Sequence, residues 1–196
     1  MRNVTPWGEN LITNFEGCVL KAYRCSAGVL TIGVGHTSAA GSPVVTAGMV
    51  ITRDQAMAIL RADLDKFEAG VERLLKRPAK DCEFDALTSL AFNIGLGNLS
   101  GSTVLRKHNA GDTQGAADAF LAWNKARVKG VLTPLAGLTR RRNSERLAYL
   151  GIRDLDFDGR KDSGEPVYGL RVTFEDNMAD EVQVAFEAEL AGSAFA

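Results

Sequence analysis

The chain has 196 residues, of which 45% are hydrophobic and 24% are charged. This composition indicates a soluble globular protein of one domain with at most an appendage, and it excludes a disordered chain. No apolar run approaches the roughly 20 residues of a membrane-spanning helix, and the N-terminus lacks the apolar core of a signal peptide. We therefore expect synthesis in the cytoplasm without membrane insertion. Three cysteines and two separated histidines predict neither a disulfide scaffold nor a structural zinc site.

Charge is distributed unevenly along the chain. Residues 152–196 carry four basic and eleven acidic side chains, a net charge of −7, whereas residues 1–151 carry a net charge of +6. A basic body favours an anionic partner, which the acidic segment would repel. Nucleic acid is not the expected partner, because the basic residues form no stripe with interleaved aromatic residues. We place a domain boundary at residue 151, followed by an acidic C-terminal extension at 152–196.

Caps and apolar spacing predict the first elements in chain order. Thr5 and Pro6 begin a helix over residues 5–16, because threonine is a good N-cap and proline is favoured at the first helical position. Residues 18–37 alternate β-branched and aromatic residues with turn residues, which predicts a small sheet with a turn at 26–28. A loop at 38–50 leads to a T-x-x-Q capping box, which begins a long helix over 52–76.

The remaining sequence predicts mainly helices. These helices lie at 82–94, 103–110, 113–126 and 138–150, with a loop around Pro134 and Gly137 before the last one. Gly95 is expected to end the first of them and Asp112 to cap the third. Strands at one end of the chain and helices at the other predict an α+β fold of two lobes, joined by the long helix. A cleft between the lobes is the expected place for a ligand. Beyond residue 170 we expect a strand, and then a helix at 178–190.

Glu16 closes the first predicted helix immediately before the sheet. Its neighbours Phe15 and Gly17 would provide an apolar wall and close backbone access, an environment in which a carboxylic acid can serve as a general acid near neutral pH. Taken alone, a glutamate at a helix end is more often a solvated charge.

The spacing that follows Glu16 is more specific. Eight residues separate Glu16 from Cys25 and five separate Cys25 from Thr31, which opens the segment T-I-G-V-G-H. In this pattern the chain resembles the phage-type lysozymes, the endolysin muramidases of glycoside hydrolase family 24. The resemblance extends over about residues 7–151 through three further motifs: F-D-A-L-T-S-L-A-F-N-I-G at 84–95, S-T-x-L at 102–105 and G-L-x-x-R-R-x-x-E at 137–145.

The resemblance implies a lysozyme-like two-lobed fold, with a small N-terminal sheet lobe and a mainly helical C-terminal lobe. It implies hydrolysis of the β-1,4 bond between N-acetylmuramic acid and N-acetylglucosamine in peptidoglycan, with no cofactor required. Such cleavage needs a proton for the leaving oxygen and a second group at the anomeric carbon or its water. We expect Glu16 to be the acid, Cys25 to face it across the substrate, and Thr31 to hydrogen-bond an attacking water.

The same resemblance implies a biological setting. The enzyme would lyse the bacterial host of a phage or prophage. It would be a monomer that is made in the host cytoplasm and reaches the periplasmic cell wall through a holin.

Cys25 stands where the family more often has an aspartate. Because a thiol is a nucleophile only as the thiolate, Cys25 is open to roles as a base, as a direct nucleophile or as a small polar lining. A buried structural cysteine is a further interpretation, and inversion or retention at the anomeric carbon stays open. Family members with cysteine at this position include active enzymes. The alternative function is a catalytically silent, lysozyme-like peptidoglycan-binding or scaffold protein, which Cys25 and the acidic extension favour.

Six further candidates surround the expected cleft, three for substrate contact and three for structural support: Asn93, Gly33 and His36, then Asp63, Arg141 and Arg142. By resemblance, the asparagine would bond a sugar N-acetyl group or shape the cleft wall. His36 has a second interpretation as a structural partner of Asp63 on the long helix. One of the two arginines is expected to reach Glu16 as a buried ion pair.

The acidic extension opens with a possible calcium loop. The pattern D-x-D-x-D-G-x5-E fits the twelve-residue EF-hand loop, with four candidate ligands for calcium: Asp154, Asp156, Asp158 and Glu165. Lys161 at a usually apolar position and Pro166 at the start of the exiting helix count against this interpretation. A solvated acidic linker is the alternative.

Overall fold

The computed structural model describes residues 2–25, 28–152 and 154–161. The predicted turn residues Ser26 and Ala27, and the elements predicted beyond residue 170, lie outside this part of the chain. The elements are α1 (Pro6–Glu16), β1 (Val19–Arg24), β2 (Leu30–Gly33), β3 (His36–Thr37), α2 (Arg53–Leu74), α3 (Asp81–Ser100), α4 (Thr103–Asn109), α5 (Thr113–Ala119), a 3-10 helix (Phe120–Trp123), β4 (Lys125–Val128), β5 (Val131–Pro134) and α6 (Ala136–Tyr149). Within the described ranges, no helix combines the length and the apolarity needed to cross a membrane.

The N-terminal lobe is a small antiparallel sheet in the order β1-β2-β3. Val19 pairs with Gly33 and Tyr23 with Thr31, with an irregular register between these two pairs. The chain at residues 49–51 runs along β1, where the N–H group of Ala22 donates to the Met49 carbonyl at 2.8 Å. A small apolar cluster lies between this sheet and the start of α2: Ile32, Val45, Ile51 and Ala56.

Helix α2 joins the two lobes, as the sequence predicts. The capping box is present, with Thr52 accepting from the Gln55 N–H and the Gln55 side chain accepting from the Thr52 N–H. Near its start α2 buries Ala56 in the small cluster, and further along it buries Leu64 and Val71 in the main core. The α+β, two-lobed fold is therefore confirmed.

The C-terminal lobe is built around α3, most of whose residues are buried. Gly95 has φ +82° and interrupts the helix, so the predicted end of the helix is where it kinks, and helical structure resumes to Ser100. Helix α6 packs against α3 and carries the charged side chains that reach the site.

The prediction of one helix over 113–126 was wrong. Helix α5 ends at Ala119, and a β4–β5 hairpin occupies part of the range predicted as helix and most of the range predicted as loop. Its turn, Lys129-Gly130, has φ +49° and +83°, the two positive values of a two-residue turn that matches strand twist. Ala126 faces inward and packs with Leu138, which anchors the hairpin to α6.

The chain continues to pack on the body beyond residue 151. Phe157 is 5% exposed, and its ring centroid lies 5.8 Å from that of Trp7 and 6.3 Å from that of Phe15. The Ser144 hydroxyl on α6 hydrogen-bonds the buried carboxylate of Asp154. Asp154 and Phe157 are therefore packed and not solvated, whereas Asp156 and Asp158 are exposed. The separate extension at 152–196 stays a prediction.

Candidate active site

Glu16 is the last residue of α1 and stands immediately before the sheet, where the sequence places it. Gly17 ends the helix with φ +72°, a left-handed value that favours glycine, and its N–H donates to the Thr13 carbonyl at 3.0 Å. The side chain of Glu16 is only 6% exposed. It is thus a buried carboxylate, and the alternative of a solvated charge at a helix end does not apply.

Arg141 on α6 is the ion-pair partner of Glu16. Its Nη1 lies 2.6 Å from Glu16 Oε1, and its Nε lies 3.0 Å from Glu145 Oε1. Burial by itself would lower the pKa of Arg141, but the carboxylates of Glu16 and Glu145 outweigh it and raise the pKa. The guanidinium therefore stays charged, and it also lies 5.7 Å from the centroid of the Phe15 ring.

The ion pair continues through α6 to α3. Glu145 accepts a hydrogen bond from the Ser89 hydroxyl at 2.7 Å, and its Oε2 lies 2.9 Å from Arg142 Nη1. Arg142 Nη2 in turn donates to the side-chain oxygen of Asn93. Four alternating charges thus join Glu16 to Asn93, and the anchored oxygen fixes the orientation of the Asn93 amide.

Sequence reasoning named four of these six side chains as site residues, Glu16, Asn93, Arg141 and Arg142. It missed what Glu145 and Ser89 do. The spacing of Arg141 and Glu145, four positions apart on a predicted helix, was a usable signal for the pair. The bond from Ser89 had no signal in the sequence, because it spans 56 residues.

Cys25 and Thr31 meet at one carbonyl group. The Cys25 N–H donates to the Val29 carbonyl at 3.0 Å, and the Thr31 hydroxyl donates to the same oxygen at 3.2 Å. Both side chains are buried in the sheet lobe. The structure thus connects the two residues through the Val29 carbonyl, and their roles toward a substrate stay predictions.

His36 and Gly33 occupy buried, internally bonded positions. The two ring nitrogens of His36 lie 2.8 Å from Asp63 Oδ2 and 2.9 Å from the Pro43 carbonyl oxygen. The expected pair with Asp63 is therefore present. Gly33 has φ +64°, and a Cβ there would lie 3.6 Å from Ala56 on α2. These contacts support structural roles for both residues, and the expected substrate contact stays a prediction.

The three cysteines are free thiols. Burial raises the pKa of the Cys18 thiol although Arg53 opposes it, and burial likewise raises the pKa of Cys82. Both are therefore neutral thiols near pH 7, the less reactive form.

The three described aspartates of the acidic pattern lie together. One carboxylate oxygen from each of Asp154, Asp156 and Asp158 falls within 4.8 Å of the others. Asp154 accepts from the N–H groups of Asp158 at 3.1 Å and Gly159 at 3.0 Å. Burial raises the pKa of Asp154, although the Ser144 hydroxyl opposes it. Glu165 lies outside the described residues, and the calcium site stays a prediction.

Comparison with known proteins places these observations in one family. Residues 13–145 match the family described as phage lysozyme. The endolysin of Acyrthosiphon pisum secondary endosymbiont phage 1 is 42% identical over 75% of this chain and 97% of its own length. Among solved structures, the endolysin from Escherichia coli O157:H7 phage FAHEc1 is 42% identical with a TM-score of 0.71, over 76% of this chain and 94% of its own. The muramidase domain of SpmX from Asticaccaulis excentricus is 36% identical with a TM-score of 0.71, over 76% and 99%.

Proposed function

Because the chain belongs to the phage lysozyme family, we propose that it degrades peptidoglycan by hydrolysing the β-1,4 bond between N-acetylmuramic acid and N-acetylglucosamine. The observation that carries this proposal is the buried carboxylate of Glu16, held at 2.6 Å by Arg141 at the junction between α1 and the sheet. The sheet lobe that begins there carries Cys25 and Thr31, which both donate to the Val29 carbonyl. The catalytically silent alternative receives no support from the endolysin relatives.

In the proposed reaction, Glu16 gives its proton to the glycosidic oxygen as the bond to the anomeric carbon breaks. A water, or the sulfur of Cys25, forms the new bond at that carbon. If water attacks, it loses a proton to a base, for which Cys25 is the candidate, and the hydroxyl of Thr31 accepts a hydrogen bond from it. If sulfur attacks, a later water releases the sugar. The proposal leaves both routes open, since a thiol serves either role once it is deprotonated.

Two features support the choice of substrate. The side-chain oxygen of Asn93 is held by Arg142, so the NH2 group of the amide is oriented to donate to the carbonyl of a sugar N-acetyl group. The net charge of +6 over residues 1–151 attracts an anionic wall polymer. The chemistry needs no organic cofactor and no resident metal.

The proposed setting is lysis of a bacterial host by a phage or prophage. We place synthesis in the host cytoplasm, release through a holin, and action as a monomer on the periplasmic wall. The support for this setting is the endolysin identity of the relatives.

Turbidity of chloroform-treated Gram-negative cells tests the proposal. The wild-type protein should clear the suspension, whereas Glu16→Gln, which keeps the shape of the side chain and removes the acid, should lose at least about 100-fold in rate. Glu9→Gln is the matched control on the same helix, because Glu9 pairs with Arg61 at 2.8 Å and not with Arg141, and it should clear normally. Clearing by Glu16→Gln at the wild-type rate would refute the role of Glu16. A wild type that binds the wall and clears nothing would establish the silent alternative.

A further inference from the structure

We propose that Glu145 is a positioning residue for the reaction. Its carboxylate partly compensates the positive charge of Arg141 and thereby extends to higher pH the range in which Glu16 works as an acid. The inference rests on the proposed role of Glu16, and it adds a function for a side chain that touches neither the substrate nor the reacting atoms.

The arrangement at Glu16 poses a chemical problem. A general acid must hold its proton before the reaction begins. A guanidinium group at 2.6 Å stabilises the ionised carboxylate and opposes that requirement. An Arg141 with no other partner would therefore oppose the proposed role of Glu16.

Glu145 contacts the same guanidinium and partly compensates its positive charge. It lies 3.0 Å from Arg141 Nε, while Glu16 lies 2.6 Å from Nη1, so the two carboxylates occupy different edges of one cation. Glu145 is completely buried. The Ser89 hydroxyl at 2.7 Å and the Arg142 guanidinium at 2.9 Å hold it there. Its negative charge is thus fixed next to the partner of the acid.

The other charged groups on the elements that contact α1 lie elsewhere. On α2 and α3, the groups that bond to α1 or to the residues before it reach the opposite end of that helix: Glu68 bonds Val4, Asp85 bonds Thr5, and Arg61 pairs with Glu9. On α6, Arg140 packs over the Phe15 ring at 5.7 Å, and Arg142 faces Glu145 and Asn93. In the sheet lobe, Cys25 is the titratable group of the proposed site. Glu145 is therefore the acidic group that the described contacts connect to Glu16 through a shared partner.

The size of the effect follows from the geometry. The two contact distances and the width of a guanidinium group place the two carboxylates at most about 8 Å apart. Two unit charges at that distance, in an effective dielectric of about 20, interact by an amount equivalent to about 1.5 pH units. Removing the charge of Glu145 should therefore move the alkaline limb of the activity profile downward by about 1.5 pH units.

The test is the pH dependence of clearing at constant ionic strength in Glu145→Gln, which keeps the length of the side chain and an oxygen for the Ser89 hydroxyl. We expect the alkaline limb to move to lower pH by about 1.5 units. Glu145→Asp retains the charge and should restore most of the wild-type profile. Glu83→Gln is the matched control, because Glu83 is an equally buried glutamate that pairs with an arginine, Arg77 at 3.1 Å. The alkaline limb of the Glu83→Gln profile should stay at the wild-type pH.

Arg142→Gln gives a second test with the opposite sign. Loss of this cation leaves the charge of Glu145 less compensated, so the alkaline limb should move to higher pH. A merely structural role for Glu145 predicts reduced rates in both variants with no opposite displacement. An unmoved limb in a Glu145→Gln protein with wild-type far-UV circular dichroism would overturn the inference. Should Glu145→Gln not fold, an unmoved or lowered limb in Arg142→Gln would overturn it equally. Failure of the proposed function itself would appear separately, as normal clearing by Glu16→Gln.

Discussion

Replacing Phe157 tests whether the chain beyond residue 151 belongs to the folded body. The ring is 5% exposed and packs on Trp7 and on Phe15, the residue next to Glu16. Truncation of a well-packed phenylalanine to alanine costs about 3–5 kcal/mol. Because this segment lies at the edge of the main core, we expect the lower figure, about 3 kcal/mol, for Phe157→Ala.

The backbone conformation at Phe157 predicts which of two variants, Phe157→Gly or Phe157→Ala, is the more stable. Its φ of +55° is a left-handed value that costs a non-glycine residue about 1 kcal/mol. Phe157→Gly removes the same ring and also removes this strain, so it should be about 1 kcal/mol more stable than Phe157→Ala. Glycine is ordinarily the less stable of the two.

Urea denaturation followed by far-UV circular dichroism measures both differences in the free energy of unfolding. The fluorescence of Trp7, which touches the ring, reports on the same contact. A loss below about 1 kcal/mol in Phe157→Ala would show that the ring is not packed in the core as described. A glycine variant less stable than the alanine variant would contradict the left-handed backbone.

Three further predictions follow from the site and the core. Cys25→Ala should lower the clearing rate at least about 100-fold while Cys25→Asp retains clearing, and a normal rate in the alanine variant would reduce Cys25 to a lining residue. Burial, together with the nearby Arg77, lowers the pKa of His108, so the unfolded chain binds a proton below its ordinary pKa of about 6.5 that the folded chain resists. As the pH is lowered below about 6.5, the free energy of unfolding should therefore fall by at most about 1.4 kcal/mol per pH unit. His108→Gln should flatten this slope in urea titrations at pH 5–7. Calcium added in a calorimeter should release or absorb heat with the wild type and less with Asp156→Asn, whose side chain is exposed; no heat from the wild type would dismiss the calcium loop.

Local signals account for the elements that the sequence predicts well. The Thr5 cap of α1, the capping box of α2 and the Asp112 cap of α5 are all present, because each depends on residues within one helical turn. The place of Glu16 follows directly, since it depends only on where α1 ends. The roles of Cys25 and Thr31 came from the resemblance to a family.

The hairpin at 125–134 was missed although a signal existed. Two runs of four residues flank Lys129-Gly130, and a two-residue turn that ends in glycine is typical of a hairpin. The alanine-rich stretch before it favoured a longer helix. The hairpin forms because Ala126 packs against Leu138 on α6, a contact that the local sequence does not specify.

Long-range packing explains the remaining differences. Acidic neighbours around Phe157 suggested a solvated linker, but its ring packs on Trp7 and Phe15, which lie about 150 residues earlier in the chain. In the same way, the hydrogen bond from Ser89 to Glu145 depends on how α6 lies against α3, and only the assembled fold shows it.

Digestion of purified peptidoglycan in H2(18)O, followed by mass spectrometry of the products, tests the central claim most directly. Hydrolysis driven by the acid Glu16 predicts fragments that end in reducing N-acetylmuramic acid with one (18)O atom, formed by the wild type and lost in Glu16→Gln. Fragments that end in 1,6-anhydro-N-acetylmuramic acid or in reducing N-acetylglucosamine would contradict it.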